Sequence, residues 1–359
     1  MQLFQLLVLM CFACIFIQAN SDISKFPSLI SVQVIVRHGD REPDEDFRNP
    51  LGELTNNGKK RMYDFGIFLR GKYGKFLNYI TSSKSVSILS SDTGRTIESG
   101  LLIGLGLSEV TVQKSKFDEG NLYVPFPVRT IPAEIDDFIK TSRICPRFQK
   151  LLDESIENYV NDFVERNRRY FTKFAPATGH WIILNKTANS DKINFFVFYQ
   201  EQAIYNATMG SPLDEVALEA VVNPDLAFKP GYDALRVDSV EKQRLYLGPL
   251  FRQLTNTFLA EDKKKLNIYS AHDRVMYTFM LTLGVWQDPK ETPPYGSALS
   301  VELHETFSGE TYLEWWYKND TGSYLLEIPG CGKPCFFSQF IYQFDQIISG
   351  DNDIECQLL

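Results

Sequence analysis

The chain has 359 residues, 44% of them hydrophobic and 23% charged, with a formal net charge of -8. That length accommodates one large or two modest domains with a sizeable core. The acidic balance argues against a nucleic-acid binder and against a basic membrane-surface protein. Residues 1–19 open the chain with a near-continuous apolar run, LFQLLVLMCFACIFI, which reads as a secretory signal peptide. The run lacks Lys and Arg ahead of it, so an uncleaved anchor is the competing reading. No second apolar span precedes Leu359, and no membrane span is expected in the mature chain.

The next stretch, Ser31 to Pro43, carries the chemistry. Val32, Val34, Ile35 and Val36 form a short β-branched run, which predicts a buried strand. The chain then turns abruptly polar, with Arg37, His38, Gly39, Asp40, Arg41, Glu42 and Pro43 following in sequence. In an open α/β sheet the loops after strand carboxyl ends converge over a crevice, so a strand stopping here puts an imidazole between two permanent cations. Gly39 leaves room for close approach of a ligand or backbone. The pattern Arg37-His38-Gly39-x-Arg41-x-Pro43 resembles the signature of the histidine acid phosphatases, and most closely their secreted prostatic and venom-type branch. The resemblance implies an α/β fold. Its three-layer core, phosphoglycerate-mutase-like, has a mostly parallel central sheet, and a helical cap is inserted into it. Residues 20–135 and 248–359 would form the core and 136–247 the cap.

Further along, Leu54, Thr55 and Gly58 mark a turn, after which Met62, Phe65, Phe68 and Leu69 recur at helical spacing. This is similar to the family's first helix. The Pro43–Leu51 loop is shorter than in many venom-type relatives, which bears on substrate preference. VSILSS, Val86 to Ser91, predicts a second strand, ending on Asp92-Thr93-Gly94-Arg95. Its end reads as an ordinary helix cap, and a capped helix start also favours an anion. The resemblance makes Arg95 a third phosphate-binding arginine. Gly104-Leu-Gly106 is too weak for a dinucleotide site, and no nucleotide-triphosphate phosphate loop is present. From Asp136 to Leu247 helical patterns dominate, among them Phe148–Phe163 and Leu213–Val222. His180 and His304 belong to no motif and read as ordinary buried or surface histidines. Lys263, Lys264 and Lys265 read as a solvated helix end. LNIYS, Leu266 to Ser270, predicts a third strand, leading into Ala271-His272-Asp273 and an apolar helical run. Ala-His-Asp is the family's tripeptide at such a strand-to-helix junction. Arg274 departs from the small residue common there. Directed into the site it would lower the Asp273 pKa; directed outward it would be a helix-start surface residue.

Beyond the first run, the cysteines are Cys145, Cys331, Cys335 and Cys356. In an exported chain four cysteines read as two disulfides with three connectivities open, a four-thiolate zinc site being the competing reading. The resemblance implies Cys145–Cys356 and Cys331–Cys335. It also implies that the family's third disulfide is missing, because Ala298 stands where relatives often have cysteine. Asn185, Asn206 and Asn319 begin glycosylation triplets, which fits an exported protein.

The resemblance implies hydrolysis of phosphate monoesters. His38 would be the nucleophile forming a phosphohistidine. Arg37, Arg41, Arg95 and His272 would bind the phosphate, and Asp273 would protonate the leaving group. No metal and no cofactor are expected. The partner is a small phosphomonoester, with a homodimer by family analogy. The location would be extracellular, in venom or saliva, ahead of the lysosomal lumen. Alternatives are a phytase-like or lipid-phosphate phosphatase, and a catalytically weak secreted phosphate-binding protein on the same fold. A phosphoglycerate-mutase-like enzyme shares the Arg-His-Gly start, but the apolar leader and C-terminal cysteines oppose it.

Overall fold

The computed structural model describes residues 28–42, 52–78, 84–108, 126–140, 145–179, 190–286, 288 and 290–357. The apolar leader, the loop after Glu42, His180 and Asn185 lie outside the described residues. The strands in chain order are β1 (Ser28–Arg37), β2 (Val86–Ser91), β3 (Val128–Ile131), β4 (Leu266–Ala271), β5 (Ala298–Glu305), β6 (Thr311–Asn319), β7 (Gly322–Leu326) and β8 (Cys335–Phe336). They form one sheet of order β3-β2-β4-β1-β5-β6-β7, with β8 paired to β6.

The sheet has two halves. β3, β2, β4 and β1 pair in parallel, and β5 to β8 extend the sheet in antiparallel pairs. The parallel order expected from sequence therefore describes the half containing β1. Within the remainder β5, β6 and β7 are antiparallel because Glu305 to Thr311 and Asn319 to Gly322 are hairpin connections, too short for a crossover.

Nine helices are used below: α1 (Asn56–Tyr73), α2 (Gly94–Ser108), α3 (Pro146–Arg166), α4 (Arg168–Thr178), α5 (Ser190–Thr208), α6 (Glu215–Val222), α7 (Phe228–Ala234), α8 (Val240–Leu259) and α9 (Asp273–Thr282). The alternation along β1 makes the layers. Val32, Val34 and Val36 pack with Met62, Phe65 and Leu69 of α1 and Ile103 and Leu107 of α2. Ile35 points to the opposite face, against Leu247, Leu250, Phe251 and Leu254 of α8 and Met276 and Phe279 of α9. Gln33 shares that face and is buried, but both ends of its amide are engaged. It donates to the Leu254 carbonyl at 2.7 Å and accepts from the Tyr269 hydroxyl at 2.9 Å.

Helices α3 to α7 have their own apolar cluster, in which Leu152, Ile156, Val160, Phe163, Phe171, Phe174, Phe196 and Phe228 meet. The aromatic rings there pack largely edge to face, the arrangement their quadrupoles favour. Cys145, immediately before α3, is bonded to Cys356, and Cys331 to Cys335. The first bridge spans 211 residues of sequence and stabilises the fold by about 5 kcal/mol in the chain-entropy model. Among the described residues no helix is long and apolar enough to cross a membrane.

On β5, buried Glu302 accepts from the Tyr73 hydroxyl at 2.7 Å, pairs with Lys72 at 2.8 Å and meets His304 Nε2 at 3.1 Å. Burial alone would raise this carboxyl, but the contacts from His304 and Lys72 outweigh it and hold it down at about 2. A depressed carboxyl stabilises the fold above its unfolded value of 4.5, and that contribution is lost as pH falls toward 2. Glu302→Gln is therefore expected to cost roughly 3 kcal/mol in denaturant unfolding near neutrality. The gap to wild type should close progressively on acidification below the unfolded value.

Candidate active site

Three segments far apart in sequence meet because β2, β4 and β1 are parallel neighbours. Their carboxyl ends share one rim of the sheet, where open α/β sheets bind ligands. The end of β1 delivers Arg37 and His38, the first turn of α2 after β2 delivers Arg95, and the junction of β4 with α9 delivers His272 and Asp273. The backbone amide of His38 donates to the Ala271 carbonyl at 3.1 Å, stitching the first and third segments together.

Two glycines let the Arg-His-Gly loop close on α1. A Cβ on Gly39 would lie 2.5 Å from the Gly58 carbonyl oxygen, and a Cβ on Gly58 would lie 2.1 Å from the Asp40 carbonyl oxygen. The two backbones touch, so neither position accepts a side chain. Thr55 caps α1 through its hydroxyl, accepting from the Gly58 amide at 3.0 Å, while its own amide donates to the Asp40 carbonyl at 2.9 Å. The glycine of the sequence's Leu-Thr-x-x-Gly pattern thus serves the Arg-His-Gly loop as well as the helix start.

His38 is buried, with 3% of its surface exposed. Its Nδ1 lies 2.9 Å from the Gly39 carbonyl oxygen, an acceptor only, so Nδ1 carries the hydrogen and Nε2 keeps the lone pair. Arg95 Nε donates to that Nε2 at 3.2 Å. Burial first, then the charges of Arg37, His272 and Arg95, push the His38 pKa well below its ordinary 6.5. The neutral imidazole therefore persists to lower pH than that of an ordinary histidine.

Arg37 donates to the Pro293 carbonyl at 2.7 Å, pairs with Asp273 Oδ2 at 3.2 Å and stacks on the Tyr295 ring, 3.9 Å from its centroid. Arg41 pairs with Glu201 of α5 at 2.8 Å. His272 is the N-cap residue of α9, and its Nε2 sits 2.9 Å from the Ser91 hydroxyl. Burial, reinforced by Arg95, pushes His272 down to about 3. The His38 and His272 rings are 5.5 Å apart, close to perpendicular.

Asp273 opens the first turn of α9. Its Oδ1 accepts from the Arg274 amide at 2.8 Å, and its Oδ2 faces both Arg37 and Lys229 of α7, the latter at 3.0 Å. Burial favours the neutral acid, but Arg37 and Lys229 together outweigh it and hold the carboxyl well below the usual carboxylate range. The Arg274 guanidinium combines the two expectations: its charge still acts on Asp273 without touching it, and its side chain is 43% exposed. Its Nε donates at 2.7 Å to Asp233, a fully buried carboxylate on α7.

Sequence reasoning did not find Lys229, Glu201, Tyr295 or Ser91. Lys229 and Glu201 sit in unremarkable helical patterns and carried no signal. Tyr295 stands in the turn-rich Pro-Pro-Tyr-Gly, where an aromatic residue was a usable cue. The one candidate metal cluster among the described residues, Glu302, His304 and Glu314, lies on β5 and β6 away from this rim. There the Lys72 ammonium already occupies Glu302.

A family profile for the histidine phosphatase superfamily (branch 2) matches residues 47–324. The chain belongs to this superfamily. The matched interval begins after the Arg37–Arg41 motif, so the placement of that motif beside Arg95 and Asp273 is a separate, structural observation. Among curated relatives of this histidine phosphatase, prostatic acid phosphatase of Mus musculus is 29% identical over 350 residues, covering 90% of this chain and 88% of that protein. Lysosomal acid phosphatase of Rattus norvegicus is 28% identical over 352 residues, covering 92% and 81%. The fold is similar to that of Hafnia alvei phytase in complex with tartrate, with a TM-score of 0.61 at 16% identity, covering 93% of this chain and 99% of that one. Citrobacter braakii phytase gives 0.61 at 16%, covering 92% and 100%.

The contact between Gly39 and Gly58 makes a sharp expectation. Gly58→Ala should lower stability by about 1–3 kcal/mol through overpacking. It should also reduce kcat/KM more than tenfold, because the loop carrying His38 must move. Melting and steady-state kinetics check both, and a destabilised but kinetically normal variant would show that the contact does not position the loop.

Proposed function

We propose that this protein is an acid phosphatase that hydrolyses phosphate monoesters through a phosphohistidine formed on His38. The observation that carries the reading is the buried His38 imidazole, held neutral with its Nε2 lone pair beside Arg95 and within the charge field of Arg37. The named relatives support the same activity.

In this reading Arg37, Arg41, Arg95 and His272 bind the phosphoryl oxygens. Arginine suits the task because it keeps its charge at any working pH and offers paired donors. Nε2 of His38 attacks phosphorus as the ester P–O bond breaks, and Asp273 gives its proton to the departing alkoxide. Water then attacks phosphorus as the P–N bond breaks and its electron pair returns to Nε2, Asp273 takes a proton from that water, and inorganic phosphate leaves. The depressed Asp273 carboxyl and its duty as an acid reconcile through charge. A bound phosphate draws on Arg37 and adds negative charge beside Asp273, both of which raise its pKa, and an acidic medium supplies the proton. The arginines meanwhile hold the charge that spreads over the phosphoryl oxygens during transfer.

Export is part of the proposal. The two disulfides, the apolar residues 1–19 and the triplet at Asn319 support an oxidising compartment, either extracellular or the lysosomal lumen. The division into a core of residues 20–135 and 248–359 and a cap of 136–247 is proposed with it, supported by the separate apolar cluster of α3 to α7.

Hydrolysis of p-nitrophenyl phosphate measured from acid to neutral pH in the presence of EDTA tests the function. Activity that peaks in acid, survives chelation and falls by at least about a thousandfold in His38→Ala is expected. Acid-labile phosphate bound to the rapidly quenched wild-type enzyme should be absent from that variant. No turnover by folded, disulfide-intact protein would sink the proposal.

A further inference from the structure

The sequence places one unexpected cation, Arg274, directly after Asp273. In the fold its guanidinium turns away to Asp233, and a different cation, from a different element, reaches the carboxylate. Lys229 Nζ lies 3.0 Å from Asp273 Oδ2 and 2.8 Å from Asp233 Oδ2. Asp233 is fully buried, and its two oxygens have separate partners. Oδ1 accepts from Arg274 Nε at 2.7 Å and from Arg236 at 3.3 Å, and Oδ2 takes Lys229. If Lys229 swung away, it would uncover one oxygen of a buried carboxylate, a costly change. The ammonium is therefore a fixed point. The helix that carries it is anchored in turn by Phe228, buried in the cluster of α3 to α7.

We propose that Lys229, tethered by Asp233, is a positioning residue that holds Oδ2 of Asp273 as the proton-donating oxygen of the leaving-group acid. The other contacts on Asp273 support the assignment. Oδ1 accepts from the α9 amide of Arg274, a backbone contact that does not leave with substrate, whereas Oδ2 is the oxygen beside Arg37 and so beside the bound phosphate. Arg37 shares Oδ2, but Arg37 is also drawn to the phosphate, so during turnover Lys229 is the contact that persists. The proposal rests on Asp273 acting as the acid.

The charged and titratable groups around Asp273 set the expected direction. Arg37 and His38 face it from the end of β1, and Lys229 and Asp233 from α7. His272 precedes it in the chain, and the Arg274 amide faces it from α9. After burial, which favours the protonated form, Arg37 and Lys229 are the groups that hold Asp273 ionised. Replacing Lys229 with a neutral side chain raises the Asp273 pKa, so the protonated acid persists to higher pH. The descending limb of the rate profile then moves toward neutrality. At the same time the less firmly held oxygen delivers its proton less well. That defect matters most when the leaving group is a poor one.

The test is the pH dependence of kcat for glycerol 2-phosphate, an alkyl ester, and for p-nitrophenyl phosphate, in wild type, Lys229→Met, Lys229→Arg and Arg274→Gln. In Lys229→Met the descending limb should shift up by about one unit. Turnover of glycerol 2-phosphate should fall by about ten- to a hundredfold, against less than about threefold for p-nitrophenyl phosphate. Lys229→Arg should restore most of both, and Arg274→Gln, whose charge acts on Asp273 without touching it, should move the limb less than Lys229→Met does and leave the two substrates equally affected. An unshifted limb in Lys229→Met, or equal losses on the two substrates, would overturn the proposal and leave Lys229 a structural ion-pair partner. Should Lys229→Met fail to fold because Asp233 is bared, Lys229→Gln, which removes the charge and still offers Asp233 a donor, is read the same way. Asp273→Asn separates the underlying assumption. If it too fails to distinguish the substrates, the acid assignment itself falls, whereas discrimination by Asp273→Asn without any by Lys229→Met rejects only the role of Lys229.

Discussion

The site depends on keeping one imidazole uncharged where protons are plentiful. A solvent-exposed histidine would be largely protonated in acid and useless as a nucleophile. Burial of His38 beneath the rim, with Arg37 and Arg95 beside it, makes the imidazolium unfavourable, and the Gly39 carbonyl fixes which nitrogen keeps its lone pair. The same arginines are the natural ligands of a phosphate. In the proposed reaction one group of cations prepares the nucleophile and receives the electrophile, which would explain why the three segments converge within a few ångströms.

That arrangement carries a folding penalty that grows in the conditions where the enzyme would work. A histidine whose pKa is lower in the fold than in the unfolded chain favours unfolding once pH drops below its unfolded value. For His272, at about 3 in the fold against 6.5, the loss accumulates across that whole interval. One feature works the other way. The Cys145–Cys356 bridge limits the freedom of the unfolded chain regardless of pH. Glu302, held at about 2 against 4.5 when unfolded, adds to the acid loss, because its contribution fades across that interval.

Asp273 follows the opposite rule to His38. Burial would keep it protonated, but Arg37 and Lys229 hold it ionised, so its proton-donating form depends on substrate charge and on the medium. The helices between β3 and β4 matter here. They supply Lys229 to Asp273 and Glu201 to Arg41, so two polar contacts from that segment reach groups presented by the sheet. The site is built from strand ends but is electrostatically completed by helices.

The strands bearing the site were legible because each announces itself twice, as a short strand-forming stretch with aliphatic residues and as a change to polar, chemistry-bearing residues. Val32 to Val36 before Arg37, Val86 to Ser91 before Arg95, and Leu266 to Ser270 before His272 are local patterns, and local sterics set them. The antiparallel half was less legible, since an alternating strand does not state the direction of its neighbour. Arg274 shows the limit most clearly. Its position in the chain suggested an effect on Asp273, but a side chain's partner depends on what other elements bring near it, here a buried Asp233 from α7. Lys229, Glu201 and Tyr295 were invisible as site residues for the same reason. By itself the sequence determined the strand-end motifs, the glycines that let Gly39 meet Gly58, and the residue types able to bind and transfer a phosphoryl group. Only the tertiary structure decided the cysteine pairing, the strand order that brings the motifs to one rim, and which cation stands on which carboxylate. Those depend on distances across the fold, which burial and Coulomb interactions select and no local pattern encodes.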